Sequence, residues 1–238
     1  MRIIWIFFNT FLSIVICSTP IILFGWLDKE KTFTGRLSRF WARWILWSTS
    51  VKYELIFSKK IEKSKQYVFM CNHVSALDIP LGLGLLPYNI IFLAKKELFK
   101  IPIFGWAMKS AGMIKIDRKN PEKAKASVDN AIIMLKKYNF STLIYPEGTR
   151  SDNNKLLPFK KGGFILAIRA KLPVVPITII CAESVLPKNS LKLREGKIKI
   201  LVGDPISTDT LEVNDKDELL DKCRNQILLN INKYIGMK

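Results

Sequence analysis

The only histidine of this 238-residue chain is His73, which lies in the segment NHVSALD five residues before the carboxylate of Asp78. Histidine is the side chain best suited to accept and return a proton near neutral pH. A single histidine excludes His-rich zinc sites and the HExxH metalloproteases. We therefore expect His73 to be the base of any histidine-dependent reaction. The alternative is a turn histidine held by local hydrogen bonds.

A turn before a helix can bring His73 and Asp78 together, whereas residues five apart on a continuous helix lie about 140° apart. Ser75, with Asp78 three residues later, is a helix start signal. We expect Ser75 to be the N-cap and Asp78 to lie in the first turn. Asp78 would then accept a hydrogen bond from one ring nitrogen and raise the basicity of the other. The alternative is that Asp78 only caps the helix.

Three further loops end predicted strands and carry charged side chains. Lys95-Lys96-Glu97-Leu98 follows IIFLA, Asp117-Arg118 follows MIKI, and YPEGTRS (residues 145–151) begins at the last residue of TLIY. Ligands of open α/β sheets bind at the carboxyl ends of strands, and Lys and Arg are good phosphate ligands. Taken alone, each loop can also be explained by solvated charges at a strand end, and YPEGTRS by a Pro/Gly turn in which Arg150 pairs with Glu147 or Asp152. Together they indicate a site for an anionic substrate beside the His–Asp pair.

The hydrophobic period after residue 50 predicts alternating strands and helices. Apolar runs of four to eight residues are typical of strands. One helix is predicted from the N-cap Asn120, with Pro121 at its first position, to about Tyr138, and another over about 216–234. The predicted class is α/β, a mixed sheet with helices on both faces, preceded by an N-terminal membrane-associated helical segment. The predicted strands cover 51–57, 67–71, 90–94, 113–116, 142–145 and 174–181.

Residues 1–50 are predicted to be membrane-anchoring helices, and residues 51–238 a separate domain. As a helix rising about 1.5 Å per residue, the apolar run 3–26 would be long enough to cross a bilayer core of about 30 Å. A cleaved signal peptide is the alternative. Over residues 33–48, an aromatic face lies beside a face with Arg36, Arg39 and Arg43. This pattern is typical of a helix in the headgroup region, although an amphipathic helix packed on the domain is also possible.

The chain carries a net charge of +18, from 38 Lys and Arg against 20 Asp and Glu, which implies an anionic partner. Basic residues that follow the apolar run place the next domain on the cytoplasmic side of the membrane. The four cysteines form no CxxC pair and are typical of reduced core residues. Cys71 lies in no nucleophile motif, and Ser75, the best rival nucleophile, is already explained as a cap.

Four sequence blocks resemble those of the glycerolipid acyltransferases, and in particular the bacterial 1-acyl-sn-glycerol-3-phosphate acyltransferases. The blocks are NHVSALD, the KKEL…IPIFGW…MIKIDR segment, YPEGTRS and LPVVPITI, and they occur in the family's order and spacing over roughly residues 50–205. The apolar N-terminal segments are similar to the membrane-embedded helices of that family. Residues 51–238 are accordingly identified as an acyltransferase domain.

The resemblance implies a role for each matching residue. His73 and Asp78 would be the catalytic pair, and Lys95, Arg118 and Arg150 would bind the phosphate of the acceptor. Glu147 and Gly148 would shape the acceptor pocket, with Thr149 a further substrate-binding residue. Pro173 and Pro176 lie in the block that the family associates with the acyl donor. A basic segment after Arg150, with Lys155, Lys160 and Lys161, can meet the phosphates of coenzyme A or an acidic carrier protein, or can be a solvated loop.

The implied activity is transfer of an acyl chain from acyl-CoA or acyl-ACP to the sn-2 hydroxyl of 1-acyl-glycerol 3-phosphate, which gives phosphatidic acid for phospholipid biosynthesis. We expect no cofactor and no metal. The expected partners are lysophosphatidic acid, the acyl donor and anionic membrane lipids, without nucleic acid, and the expected location is the cytoplasmic face of the cell inner membrane. The alternatives are another lysolipid or glycerol 3-phosphate as acceptor, or a membrane-bound lipid hydrolase.

Overall fold

The computed structural model describes residues 2–117, 119–151 and 155–235. The chain divides into two compact units, the first made of residues 1–50 and 79–142 and the second of residues 51–78 and 143–238. The predicted boundary near residue 50 therefore coincides with a change of unit, but residues 1–50 are grouped with a later part of the chain.

Helices and strands alternate after residue 50, as the hydrophobic period predicts. Each predicted strand is present with its ends shifted by no more than one residue, and β7 is an additional strand that was not predicted. In chain order the elements of the described residues are α1 (Arg2–Phe24), α2 (Thr32–Thr49), β1 (Lys52–Phe57), β2 (Val68–Cys71), α3 (Asp78–Leu85), β3 (Ile90–Lys95), a 3-10 turn (Lys96–Lys100), α4 (Phe104–Ser110), β4 (Ile114–Ile116), α5 (Pro121–Lys137), β5 (Ser141–Ile144), α6 (Gly162–Ala170), β6 (Val174–Ile180), α7 (Ala182–Val185), β7 (Lys197–Val202), a 3-10 turn (Val213–Asp215) and α8 (Lys216–Ile235).

In the first unit, α1 packs against α2 and α4. Among the described helices, α1 is the one that is long and apolar enough to cross a bilayer. Much of its apolar surface has no protein cover, since Phe8 and Phe11 are 57% and 67% exposed. Exposed aromatic side chains of this kind mark a surface that contacts another apolar phase. The geometry therefore agrees with a membrane-associated N-terminal segment.

The face of α2 that carries the arginines packs against protein rather than standing free. Arg39 donates a hydrogen bond of 2.6 Å to the carbonyl of Tyr88, and Arg43 donates one of 2.8 Å to the carbonyl of Gly84. The Gly84 carbonyl lies in the last turn of α3 and the Tyr88 carbonyl in the segment after it. Carbonyl groups at the end of a helix have no N–H donor within the helix, so the arginines supply one. Two of the three arginines predicted to face lipid headgroups thus have protein partners.

The rest of the first unit follows the predicted start and stop signals. Strands β3 and β4 pair in parallel, with Leu93 opposite Ile114. Helix α5 begins as predicted, because the Asn120 side chain accepts a hydrogen bond of 2.9 Å from the amide of Lys123. The cap satisfies one of the four unpaired N–H groups at the helix start, and Pro121 has no N–H to satisfy.

In the second unit, strands lie in the order β1-β7-β6-β2, and the second half of β5 lies beyond β2. The pairs β1–β7 and β2–β6 are parallel, whereas β6–β7 is antiparallel. The predicted mixed α/β class is therefore confirmed. All seven residues of β6 and all four of β2 are buried, which agrees with their continuous apolar sequence.

Helices cover this sheet and fix the end of β2, from which residues 72–77 continue. Helix α8 packs on β6, and α6 packs on α8 and β2. The approach of α6 to β2 requires Gly163, because a Cβ at that position would lie 2.9 Å from Cε of Met70. The C-terminal helix α8 extends over almost the range predicted for it.

Candidate active site

The catalytic loop, residues 72–77, leaves the buried end of β2 and is fastened to β6 by Asn72. The side-chain amide of Asn72 donates to the carbonyl of Ile179 at 2.9 Å and accepts from the amide of the same residue at 2.7 Å. Asn72 is 1% exposed, so both bonds form away from water, where leaving either partner unpaired would cost about 1–3 kcal/mol. This pair of hydrogen bonds holds the start of the loop at a defined distance from the sheet.

His73 and Asp78 lie in direct contact. Nδ1 of His73 is 2.7 Å from Oδ2 of Asp78, and the side chains are 15% and 0% exposed. The same Oδ2 accepts from the amides of Val74 and Ser75 at 2.7 and 2.8 Å. An ionised carboxylate only accepts, so the proton of the neutral imidazole is on Nδ1 and Nε2 has a free lone pair. Among the described residues, Nε2 has no hydrogen-bond partner.

The start of α3 differs slightly from the prediction. The Ser75 hydroxyl accepts from the amide of Leu77 at 3.3 Å, so Ser75 caps a turn, and the regular helix begins at Asp78 itself. Asp78 is in the first turn, as predicted. Its carboxylate binds the loop that precedes the helix, which is why it can hold His73 rather than only cap α3.

Tyr145, the residue after β5, holds the imidazole by stacking on its ring. Its ring stacks on His73 with centroids 4.3 Å apart and an angle of 28° between the planes. Its hydroxyl donates to the carbonyl of Asp78 at 2.8 Å. Burial raises the pKa of Tyr145 well above its usual range, with the nearby Cys71 and Asp78 adding to the shift, so the phenol stays protonated and remains a donor. Tyr145 was not predicted as a site residue.

Glu147 is a buried clamp, 4% exposed, and does not pair with Arg150 as its sequence neighbourhood allowed. Oε1 accepts from the amide of His73 at 2.7 Å, and Oε2 accepts from the amide of Leu157 at 2.9 Å. Burial raises the pKa of Glu147, and the two backbone N–H groups act in the opposite direction. Glu147 thus holds the backbone of His73, and its role in shaping the acceptor pocket stays a prediction.

The remaining residues of YPEGTRS form the turn that follows. Gly148 donates its amide to the carbonyl of Tyr145 at 3.0 Å and has φ +74°, a conformation that favours glycine. Thr149 is exposed and Arg150 is half-exposed. Among the described residues Arg150 has no ion-pair partner. Its guanidinium is thus available to an anion in the unit that contains His73.

The other two predicted phosphate ligands are Lys95 and Arg118. Lys95 lies in the first unit at the end of β3, where its Nζ is 3.9 Å from Oε2 of Glu97. Its neighbour Lys96 pairs with Asp117 at 2.6 Å. Arg118 lies outside the described residues. The roles of Lys95 and Arg118 therefore stay predictions.

Neither rival nucleophile is in a reactive state. Burial raises the pKa of Cys71 well above its usual value, so its thiol is not ionised near neutral pH. The Ser75 hydroxyl is fully buried and donates to the carbonyl of Leu186 at 2.8 Å. The arrangement suits direct attack by a substrate hydroxyl whose proton is taken by His73.

The chain is similar to known acyltransferases. The family model Acyltransferase matches residues 52–180. The chain is 39% identical over 145 residues to 1-acyl-sn-glycerol-3-phosphate acyltransferase from Cocos nucifera, a match that covers 61% of this chain and 47% of that protein. It is 29% identical over 224 residues to the human 1-acyl-sn-glycerol-3-phosphate acyltransferase alpha, covering 94% of this chain and 76% of the human protein. The match thus spans about half of the coconut protein.

The fold is similar to the crystal structure of the 1-acyl-sn-glycerophosphate (LPA) acyltransferase PlsC from Thermotoga maritima. The TM-score is 0.70 at 23% sequence identity, and the match covers 95% of this chain and 97% of that chain. At this identity the likeness supports the fold, whereas the family model covers more than half of this chain. The chain belongs to the acyltransferase family.

Proposed function

We propose that this protein is a 1-acylglycerol-3-phosphate O-acyltransferase, which transfers an acyl chain from a thioester to the sn-2 hydroxyl of 1-acyl-glycerol 3-phosphate and releases phosphatidic acid. The observation that carries the proposal is the contact of 2.7 Å between His73 and a fully buried Asp78, with Nε2 of His73 unpaired among the described residues. Family membership, and the names of the coconut and human relatives, support this acceptor.

The reaction follows from the free lone pair on Nε2. The acceptor hydroxyl attacks the thioester carbonyl as Nε2 takes its proton, so an ester C–O bond forms. When the tetrahedral intermediate collapses, the C–S bond breaks and the imidazolium returns the proton to the thiolate. General-base assistance of this kind typically contributes about 10²–10⁴-fold to the rate. The atoms and the proton balance within the two substrates and His73.

Asp78 stabilises the imidazolium and keeps the proton of the neutral ring on Nδ1. Tyr145 and Glu147 hold His73 through its ring and its backbone amide. These three residues form bonds to one another or to the loop, and only His73 would touch the reacting hydroxyl. We assign them as positioning residues.

Arg150 is the strongest candidate for the acceptor phosphate, because it lies two residues after Gly148 and has no ion-pair partner among the described residues. A guanidinium can bind phosphate with two parallel hydrogen bonds. Thr149, exposed beside it, can donate a hydroxyl hydrogen bond. Lys95 and Arg118 are proposed as further phosphate ligands on the family resemblance.

The donor is proposed to be acyl-CoA or acyl-ACP, with no metal or other cofactor. Helix α1 is proposed to hold the enzyme at the cytoplasmic face of the cell inner membrane, where the net charge of +18 would favour anionic lipids. Both substrates carry acyl chains, so a membrane-associated enzyme would meet the lysolipid where it partitions.

The test is an assay of purified membranes with a panel of acceptors and both donor types. We expect the highest rate with 1-acyl-glycerol 3-phosphate, and a loss of about 10²–10⁴-fold or more in His73→Ala. The variant must keep its thermal unfolding temperature for the loss to count as catalytic. Release of free fatty acid without an acylated acceptor would identify a hydrolase, and full activity in folded His73→Ala would refute the mechanism.

A further inference from the structure

A cavity of about 180 Å³ lies beside the catalytic loop in the second unit and has no role in the reaction described above. Asn72 and Val74, the residues on either side of His73, both line it. Its other walls come from the end of β6, from the segment 155–156 and from the last turns of α8, with Ile179, Leu156 and Tyr234 as examples. The cavity is thus at the carboxyl end of β6, the edge where open α/β sheets bind ligands.

One buried polar group in this cavity lacks a partner. Oγ of Ser151 has no hydrogen-bond partner in the described part of the chain, although the residue is only 3% exposed. The Ser151 amide is bonded to the carbonyl of His73 at 2.8 Å, so the residue is held in place beside the catalytic loop. A buried hydroxyl without a partner costs about 1–3 kcal/mol, which a ligand amide or hydroxyl would recover.

The residues that line the cavity are of three kinds: apolar, polar and basic. Ile179, Ile180 and Leu156 form an apolar wall, Ser151 and the carboxylate of Glu183 offer polar atoms, and Lys155 is exposed. Lys155 has no ion-pair partner among the described residues. A ligand that suits this lining would carry apolar groups, amides and one anionic group.

The volume of the cavity limits which ligands it can hold. Small-molecule pockets commonly measure about 300–1,000 Å³, and a single water occupies about 30 Å³. At about 180 Å³ the cavity is too large for one or two waters and too small for a whole nucleotide cofactor. A narrow section of a longer ligand fits this range.

We infer that this cavity binds the phosphopantetheine arm of the acyl donor, an inference that rests on the proposed acyltransferase function. The arm combines a dimethyl group, two amides and a phosphate, and it ends in the sulfur that carries the acyl chain. Ser151 would bond an amide or the hydroxyl of the arm, the isoleucines would contact its apolar groups, and Lys155 would meet its phosphate. Acyl-CoA and acyl-ACP share this arm, so the inference holds for either donor.

Cys181 provides a readout that does not depend on turnover. It lines the cavity and is half-buried, whereas the other three cysteines are buried. In the wild-type protein, the rate of Cys181 alkylation would be measured with coenzyme A, 4′-phosphopantetheine, 3′,5′-ADP, and holo- and apo-carrier protein. We expect protection by 4′-phosphopantetheine and by coenzyme A or holo-carrier protein, whichever is the donor source. Protection by 3′,5′-ADP alone, or by none of the probes, would overturn the inference.

Kinetics of three variants complete the test. Ser151→Ala deletes a hydroxyl that has no hydrogen-bond partner in the described part of the chain, so the fold should be unaffected while the Michaelis constant for the donor rises about 2- to 10-fold. Leu156→Trp fills the cavity and should raise that constant at least tenfold. Lys155→Ala should raise it several-fold, whereas the matched control Lys63→Ala, an exposed lysine that does not line the cavity, should not.

The acceptor constant separates this inference from the proposed function. Unchanged acceptor constants in all three variants support a donor site. Equal changes for both substrates, or none in a folded Leu156→Trp protein, refute it. A wild-type protein that acylates no lysolipid would instead refute the proposed function, whatever the alkylation result.

Discussion

Asp78→Asn is the substitution that tests the catalytic pair most directly. In the wild-type protein one oxygen, Oδ2, accepts from Nδ1 of His73 and from the amides of Val74 and Ser75, at 2.7, 2.7 and 2.8 Å. The other oxygen, Oδ1, is buried and has no partner in the described part of the chain. An asparagine can therefore place its oxygen at the Oδ2 position, where two backbone N–H groups hold it, and its amide nitrogen at the Oδ1 position.

This geometry predicts that the ring tautomer survives and that only the charge is lost. Two unit charges whose centres are about 4 Å apart attract by about 4 kcal/mol at an effective dielectric constant of about 20. Since about 1.4 kcal/mol corresponds to a tenfold change in rate, kcat should fall by roughly 10³-fold. A switch to the wrong tautomer would cost about 10⁴-fold in a comparable triad.

The assay combines steady-state kinetics with thermal unfolding, and Asp78→Ala is the matched control. Alanine leaves the three donors of His73, Val74 and Ser75 without their acceptor, at about 1–3 kcal/mol for each buried group. We therefore expect a clearly lower unfolding temperature for Asp78→Ala than for Asp78→Asn. Wild-type turnover in Asp78→Asn would refute the role of the carboxylate. A loss of about 10⁴-fold or more in Asp78→Asn would show that the tautomer had changed.

Four further outcomes follow from the site and from α1. Arg150→Ala should raise the Michaelis constant of the phosphorylated acceptor about 10- to 150-fold and leave that of the donor nearly unchanged, because a charge-assisted contact is lost; equal effects would indicate a structural role. Glu147→Gln should lower the free energy of unfolding by about 1–3 kcal/mol and lower the unfolding temperature, because the amide nitrogen of the glutamine would face the N–H of His73 or Leu157. An unchanged unfolding temperature would contradict the role of Glu147 in holding these two amides. Tyr145→Phe should lower the free energy of unfolding by about 0.5–1.5 kcal/mol, because the hydroxyl bond to Asp78 is lost. Its kcat should fall only slightly, because the ring still stacks on His73. The protein should stay in the membrane pellet after high salt or carbonate, and its release would contradict integral burial of α1.

The sequence alone determined those features that depend on neighbouring residues. Apolar runs placed every described strand except β7, and Asn120 with Pro121 placed the start of α5, because capping and side-chain alternation act within a few residues. The pairing of His73 with Asp78 was also predictable, since a turn and one helical turn suffice to join them. The family blocks added the class of reaction to this local information.

Only the tertiary structure decided which side chains hold the catalytic loop. Asn72 bonds to Ile179 across 107 residues, and Glu147 bonds to the His73 amide across 74 residues. Such bonds depend on strand order and on how deeply each group is buried, and the spacing of residues along the chain determines neither. For the same reason local spacing did not predict the hydrogen bonds of Glu147 or the stacking of Tyr145 on His73. It also did not predict that the buried Ser151 hydroxyl would lack a partner among the described residues.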